Sequence, residues 1–247
     1  MSGHSKWSQI KRQKGAADIK RGVLFTKMTR EIMLAAREGG GDPDGNFRLR
    51  LAIDRARAVN MPHANVQRAI DRATGAADGA PLESIVYEGY GPGGVSVMVE
   101  AATDNRNRTA SEVRSAFLKN GGKLGESGSV QWIFEQKGVI EIGADAARAE
   151  EVGLVAIDAG AEDVETEAGL VTVYTAPSAF ERVKSALDRA GIRAESAEIS
   201  MRPTSTVHLE GEAARRVIRL VEGLEELDDV QKVHANFDVP EEVLETA

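Results

Sequence analysis

The residues most able to do chemistry in this sequence are the cations of its first thirty positions. This stretch holds eight Lys or Arg side chains and a single acidic one, Asp18. Such a run can neutralise the phosphates of a nucleic acid, because each bound cation releases a condensed counterion. The candidate phosphate contacts are Lys6, Lys11, Arg12, Lys14, Lys20, Arg21, Lys27 and Arg30.

Trp7 lies within this basic run and is included among the candidate nucleic-acid contacts. An indole can stack on an unpaired base, or it can pack into the core of a helical bundle. Ile10, three residues further on, continues an apolar stripe and favours the core. The sequence leaves both roles open.

The charge of the chain is divided between its two ends. Residues 1–76 carry a net charge of +8 and residues 77–247 a net charge of −16, which makes the whole chain acidic at −8. Asymmetry of this kind indicates polyanion binding at the basic end, whereas the acidic remainder repels nucleic acid. The alternative is that the Lys and Arg side chains only solvate helix faces.

Arg106 and Arg108 form a second candidate contact with an anion or a partner. They lie at the predicted start of a helix, where backbone N–H groups already favour negative charge. The alternative is a salt bridge to Asp104 or Glu112, or simple solvation. The sequence does not separate these roles.

Motifs that resemble catalytic or nucleotide sites do not meet the requirements of those sites. The G-x-G-x-x-G match at 89–94 falls between two predicted strands, whereas a dinucleotide site opens a helix. GESGS at 125–129 lacks the last glycine of a nucleophile elbow. The chain has no cysteine, and its four histidines do not follow a metal-ligand spacing. We therefore predict no catalytic residue, metal site, cofactor or small-molecule substrate.

Three amphipathic helices are predicted to position the basic residues. Apolar spacing predicts them at about 17–38, from Leu49 to Val59 and from Val66 to Ala73. Gly39-Gly40-Gly41 ends the first helix, and 74–81 is expected to be a linker. The outward faces of the second and third helices carry Arg48, Arg50, Arg55, Arg57, Arg68 and Arg72.

Strands and helices alternate from residue 82 onward. A hairpin turning at 91–94, a helix opened by a Thr109-x-x-Glu112 capping box and a strand over SVQWIFEQ come first. Residues 138–201 then have the order βαββαβ, which is typical of a ferredoxin-like unit. The helix at 213–224 and the strand over VQKVHANFDV are too small to stand alone, so they are expected to complete the preceding α/β domain.

The predicted fold class is α+β, an N-terminal three-helix bundle with two α/β domains. The predicted boundaries are 1–76 for the basic helical domain, 82–136 plus 204–247 for a discontinuous α/β domain and 137–203 for a ferredoxin-like insertion. The absence of cysteine, of a signal-peptide pattern and of any apolar run of membrane-span length favours a soluble cytoplasmic protein without a membrane partner.

Long strings of the sequence closely resemble the YebC/PmpR family, most densely over 2–74 and 85–135. They are GHSKWSQIK, KRGVLFTKMTREI, GGGDPDGNFRLRLAIDRARAVNMP, YEGYGPGGVSVMVEAATDNRNRT and KLGESGSVQWIF. The resemblance implies three domains and a cytoplasmic DNA-binding transcriptional regulator. It also implies a link to translation, since mitochondrial relatives are translational activators and bacterial members have been linked to the ribosome.

The family's basic N-terminal pattern is matched at Lys6, Trp7, Lys11, Lys14, Lys20, Arg21 and Lys27. The chain departs from that pattern at Val23, His63 and Asp71, where relatives are richer in lysine. This departure counts against a phosphate contact from the third helix.

Three hypotheses about function follow, and the favoured one is a duplex-DNA-binding transcriptional regulator. The alternative is a ribosome-associated translation factor that binds ribosomal RNA or tRNA, with Arg106, Arg108 and the loop 121–128 as further contacts. Both share the basic helical end, and no helix shows the pattern of side chains that reads base edges. An enzyme is the weakest hypothesis.

Overall fold

The computed structural model describes residues 21–75, 82–167, 169–240 and 243. They form two compact units: Phe134–Arg202 is one, and the residues up to Ile133 together with those from Pro203 form the other. The candidate contacts within residues 1–20 therefore lie outside the described residues.

The first unit begins with three helices, α1 (Arg21–Gly39), α2 (Phe47–Ala58) and α3 (His63–Thr74). They enclose a core of their own that includes Ile32, Leu49 and Val66. Asn46 caps α2 by accepting a hydrogen bond from the Leu49 N–H at 3.0 Å. Its amide also donates to the Ala35 carbonyl oxygen at 2.8 Å, which ties the end of α1 to the start of α2. The three predicted helices are confirmed within the described residues.

The α/β part of the first unit is a four-stranded sheet with two helices. The strands are β1 (Glu83–Tyr90), β2 (Ser96–Thr103), β3 (Lys123–Leu124) and β9 (Val230–Ala235), in the order β3-β1-β2-β9. The helices α4 (Arg106–Lys119) and α7 (Gly211–Glu225) share a hydrophobic core with alternate residues of β2. A short parallel pair, β8 (Val207–His208) and β10 (Phe237–Asp238), completes this part.

The glycine-rich stretch 89–94 is a hairpin turn between β1 and β2, as its position between two strands predicted. The Gly91 N–H donates to the Val95 carbonyl oxygen at 2.7 Å, which closes the turn. Gly93 and Gly94 have φ angles of 73° and 80°, a region that glycine enters without a steric penalty. The backbone thus explains these glycines without a nucleotide.

The second unit has the ferredoxin-like order of elements. These are β4 (Phe134–Gly143), α5 (Ala146–Asp158), β5 (Asp163–Glu167), β6 (Leu170–Thr175), α6 (Phe180–Arg189) and β7 (Ser196–Pro203). The sheet order is β5-β6-β4-β7, so the first and third strands of the unit are central. Ile140 and Val173, which face each other on these central strands, are both fully buried.

Two local predictions are wrong. The strand predicted over SVQWIFEQ begins only at Phe134, and Gln131–Ile133 forms a 3₁₀ turn. The reason is that the Glu88 carboxylate accepts the N–H groups of Val130 and Gln131, which removes them from any sheet ladder. From Phe134 the strand continues without a break through GVIEI to Gly143.

The Thr109-x-x-Glu112 capping box is the second wrong prediction. Helix α4 already begins at Arg106, capped by Asn105, whose side chain accepts the Arg108 N–H at 3.1 Å. Thr109 is instead buried in the first turn, where its hydroxyl turns to Asp229.

The fold class α+β is confirmed by the mixture of helices and antiparallel sheets. The predicted three-domain boundaries stay a prediction; the two compact units divide at Phe134 and after Arg202. No helix of the described ranges is both long enough and apolar enough to cross a bilayer.

Candidate nucleic-acid interface

The proposed phosphate contacts fall on both sides of the point where the described structure begins. Lys6, Trp7, Lys11, Arg12, Lys14 and Lys20 lie outside the described residues. Arg21 is the first residue of α1, and its side chain is not among those described. Lys27 and Arg30 are therefore the two members of the basic set whose contacts can be given.

Lys27 and Arg30 lie one turn apart on α1 and reach the C-terminal end of α7. The Lys27 ammonium donates to the carbonyl oxygen of Glu225, the last residue of α7. An Arg30 guanidinium N–H donates to the carbonyl oxygen of Asp228, just beyond that helix. The last carbonyls of a helix have no partner within the helix and carry its negative dipole end, so two cations there are stabilising.

Asp229 is the centre of this junction and is only 2% exposed. Its Oδ1 is 2.7 Å from Nη2 of Arg30 on α1. Its Oδ2 is 2.7 Å from Nη2 of Arg108 on α4. One buried carboxylate therefore joins a member of the first candidate set to a member of the second.

Two hydroxyl groups complete the shell around Asp229. Thr103 and Thr109 donate to Oδ2 at 3.0 and 2.5 Å. Burial by itself would raise the pKa of Asp229, but the hydrogen bonds from Thr109 and Arg108, the charge of Arg30 and the Thr103 hydroxyl outweigh it and lower the pKa. The carboxylate is thus held charged in the interior.

Arg106 and Arg108 are both engaged in salt bridges. Arg108 pairs with Asp104 at 2.9 Å in addition to Asp229. Arg106 pairs with Glu83 at 2.5 Å and is largely exposed. The Asp104 salt bridge is the alternative that the sequence had left open, whereas Asp229, more than a hundred residues away, was not anticipated.

Three arginines of α2 are in ion pairs as well. Arg48 pairs with Glu38, and Arg55 pairs with Glu31 at 2.7 Å, so both join α2 to α1. Arg57 lies 3.4 Å from Asp54 on its own helix. Arg72, near the end of α3, makes no ion pair with another residue that the structure describes. Part of the positive charge of these helices is therefore used in salt bridges between one helix and another.

An aromatic surface lies at the loop that follows β3. Trp132 is 75% exposed, and its indole N–H donates to the Ser129 carbonyl oxygen at 3.1 Å. The Tyr90 hydroxyl donates to that same oxygen at 3.0 Å. The Lys123 ammonium lies 5.5 Å from the centre of the Tyr90 ring. The loop 121–128 is a candidate contact on sequence grounds, whereas nothing in the sequence singled out Tyr90 and Trp132.

Glu88 fixes the backbone of this loop. Its Oε1 accepts the Gly128 N–H at 2.6 Å, and its Oε2 accepts the N–H groups of Val130 and Gln131 at 2.7 and 2.9 Å. Burial would raise the pKa of Glu88, but the three N–H donors outweigh it and lower the pKa. Gly125 lies against the Ser129 hydroxyl so closely that a Cβ atom would come within 2.6 Å of it.

Within the described ranges, no group of three or more His, Asp or Glu side chains is placed so that it could hold a metal ion. His234, 3% exposed, hydrogen-bonds to Glu100 at 2.8 Å. His208 is exposed, and hydrogen bonds to Asp238 and then Glu210 raise the pKa of its imidazole.

Comparison with known proteins gives full-length matches. Residues 5–76 match the family model described as the TACO1/YebC protein N-terminal domain, and residues 82–237 match the one described as the TACO1/YebC second and third domain. A Rubrobacter xylanophilus protein named "Probable transcriptional regulatory protein" is 58% identical over 245 residues, 99% of this chain and 98% of that protein.

Two further relatives agree with these matches. A Pelotomaculum thermopropionicum protein with the same name is 51% identical, over 97% of this chain and 99% of its own length. The crystal structure of a conserved hypothetical protein, Aq1575 from Aquifex aeolicus, is 50% identical with a TM-score of 0.83. That match covers 91% of this chain and 93% of the Aquifex chain, so the fold as well as the sequence is similar.

Proposed function

Because this chain belongs to the TACO1/YebC family, we propose that it is a cytoplasmic DNA-binding transcriptional regulator whose basic N-terminal helices lie on phosphate. The family and the names of the relatives point to a regulatory protein and not to an enzyme. Binding to duplex DNA is the part that goes beyond those names.

The observation that carries the proposal is the concentration of positive charge at one end of an acidic chain. The first thirty residues hold eight cations and one anion, while residues 77–247 carry a net charge of −16. Nucleic acid would be attracted to the basic end and repelled by the rest of the chain. Electrostatics alone therefore favours binding at the basic end.

The contacts of α1 suggest that some basic residues anchor this helix and that others contact phosphate. Lys27 and Arg30 bind the end of α7 and the turn beyond it, which anchors α1. We therefore assign the first contact with phosphate to Lys6, Lys11, Arg12, Lys14, Lys20 and Arg21. In this proposal Lys27 and Arg30 hold the helix from which that basic segment extends.

A translation factor that binds ribosomal RNA or tRNA is the second candidate function. The exposed Trp132, with Tyr90 and Lys123 beside it, is the observation that favours it. Exposed aromatic side chains suit unpaired bases, which folded RNA offers in its loops and which duplex DNA does not. The same basic end would serve both functions.

Charge reversal tests the proposed phosphate contact. Replacing Lys11, Lys14 and Lys20 by Glu should weaken duplex-DNA binding by at least about 100-fold near 100 mM salt, because three phosphate contacts become repulsive. The slope of log affinity against log salt should become shallower by roughly 3. Fluorescence anisotropy with a labelled duplex measures both quantities.

The matched control reverses three exposed arginines of the acidic part, Arg189, Arg193 and Arg215, to Glu. It changes the net charge by the same amount and should weaken binding far less, because those residues are not proposed to contact phosphate. Equal losses in the two variants would mean that overall charge, and not the basic end, governs binding.

A further inference from the structure

The aromatic surface formed by Tyr90, Lys123 and Trp132 belongs to the acidic part of the sequence and includes none of the basic residues that carry the proposed function. Trp132 is 75% exposed and is the one aromatic residue among those described that is mostly exposed. Burying an indole in the core is strongly favourable, so leaving one in solvent forfeits that stabilisation. A fold that keeps the indole outside has it available for a ligand.

Trp132 is held in place although it is exposed. Its N–H donates to the Ser129 carbonyl oxygen at 3.1 Å, so the edge of the indole is fixed while its ring remains accessible. Tyr90 donates to the same oxygen at 3.0 Å, which places the two aromatic side chains around one carbonyl group. A ring fixed in this way loses little conformational entropy when a ligand stacks on it.

Glu88 holds the backbone of the loop that carries Trp132. Glu88 accepts three N–H groups of residues 128–131, and the Gly125 N–H donates to the Glu88 carbonyl oxygen at 2.7 Å. The Ile133 N–H closes the 3₁₀ turn by donating to Val130 at 3.0 Å. The surface is therefore preorganised before any ligand arrives.

Lys123 supplies a cation next to the Tyr90 ring. It faces Tyr90 across the β1–β3 pair and lies 5.5 Å from the centre of that ring. It is exposed and makes no ion pair with any residue in the described ranges. A stacking ring with a neighbouring cation is the combination that proteins use for single-stranded nucleic acid, where the ring takes the base and the cation takes the phosphate.

We propose that Trp132, Tyr90 and Lys123 form a binding site for an unpaired nucleotide, with the base stacked on Trp132 and a phosphate near Lys123. The site rests on the proposed nucleic-acid binding and adds to it a preference for single-stranded segments of RNA or DNA. The bases of a continuous duplex are hidden in their own stack, so a duplex cannot use the site.

The test measures the affinity of the full chain for single-stranded RNA, single-stranded DNA and a duplex, each of about twelve nucleotides. Trp132→Ala should weaken single-strand binding by about 5- to 150-fold and leave duplex binding unchanged. Trp132→Phe should retain most of the affinity, because a phenyl ring still stacks. Leu154→Ala, which removes another exposed apolar side chain, is the matched control and should change nothing.

The dependence on salt separates stacking from charge. Trp132→Ala should lower single-strand affinity without changing the slope of log affinity against log salt, whereas Lys123→Ala should make the slope shallower by roughly 0.7. In a Trp7→Phe background Trp132 is the single tryptophan, and its fluorescence should be quenched by the single strands and not by the duplex.

Each contrary outcome has a distinct meaning. If single strands and duplex both bind and Trp132→Ala binds like the wild type, the site is wrong while the proposed function stands. If Trp132→Ala lowers association with ribosomes or other proteins and leaves oligonucleotide affinity unchanged, the surface binds protein and the site is again wrong. If no nucleic acid binds at about 50 mM salt, the proposed function fails and the site fails with it.

Discussion

Asp229 is the residue on which the most distant parts of the first unit converge. It accepts Arg30 from α1, Arg108 from α4 and the hydroxyls of Thr103 and Thr109. A buried carboxylate is favourable only when its partners replace the water it has lost, and here four groups do so. The neutral amide of Asn would remove the buried anion that the two guanidinium groups share, and would leave Arg108 with Asp104 alone.

Asp229→Asn should therefore destabilise the protein by about 1–3 kcal/mol, as expected for a lost charged hydrogen bond whose arginine partners are partly exposed. Urea unfolding at neutral pH measures this loss. Asp228→Asn is the matched control. The Asp228 side chain is exposed, and Arg30 donates to the backbone carbonyl of Asp228, which the substitution keeps. The free energy of unfolding should therefore hardly change. Equal effects of the two substitutions would contradict the role assigned to Asp229.

The effect of Asp229→Asn should depend on pH in one direction. Because folding lowers the pKa of Asp229, its contribution is fully present above the ordinary Asp pKa of about 3.9 and is lost as pH falls through the lower folded value. The stability difference between wild type and variant should accordingly be constant from pH 7 to about 5 and shrink below about pH 4. A difference that grew on acidification would contradict this assignment.

At the scale of elements, the loop 125–131 is held by the Glu88 side chain, whose carboxylate accepts backbone N–H groups that a neighbouring strand would otherwise bind. The N–H groups of Gly128, Val130 and Gln131 bond to the Glu88 carboxylate instead of to a neighbouring strand. This arrangement ends the sheet pairing of β3 after two residues and presents Trp132 at the surface. The rigidity of the loop should therefore depend on the charge of Glu88.

Glu88→Gln should loosen this loop, because an amide offers one acceptor oxygen where the carboxylate offers two. Hydrogen exchange at the amides of Gly128, Val130 and Gln131 should become about 5- to 100-fold faster. In a Trp7→Phe background, the fluorescence anisotropy of Trp132 should fall. Glu126→Gln changes an exposed carboxylate in the same loop and should leave exchange unchanged. Unchanged exchange in Glu88→Gln would mean that the loop is held by other contacts.

The elements that the sequence predicted are those with a clear local pattern. The helices α1, α2 and α3 follow from apolar spacing, and the β1–β2 hairpin follows from its glycines and from the strands on either side. The βαββαβ order of the second unit was readable because each of its elements is long enough to show its own period.

The features that the sequence did not predict depend on partners far along the chain. Nothing near Asp229 indicates that Arg30 and Arg108 will meet there, since those residues are 199 and 121 positions away. Likewise SVQW has the composition of a strand, and only the approach of Glu88, more than forty residues earlier, turns it into a loop. For the candidate site, composition located the charge at the basic end but not the surface around Trp132.

At the scale of the whole molecule, charge and aromatic surface are assigned to different parts of the chain. The basic segment belongs to residues 1–76, whereas Tyr90, Lys123 and Trp132 follow it in the acidic remainder. Proposed binding by the first is electrostatic and steeply dependent on salt. Binding by the second is mainly by stacking, and Lys123 alone adds a salt slope of roughly 0.7. A nucleic acid that offers both phosphate and an unpaired base would use both.

The salt dependence of duplex-DNA binding by the wild-type chain tests the central claim most directly. With the six basic side chains that are assigned to phosphate, log affinity should fall against log salt with a slope of about −5 between 50 and 200 mM. Such a slope, made shallower by roughly 3 in the Lys11, Lys14 and Lys20 reversal, is the expected result. A slope shallower than about −1, or no binding at 50 mM salt, would contradict it.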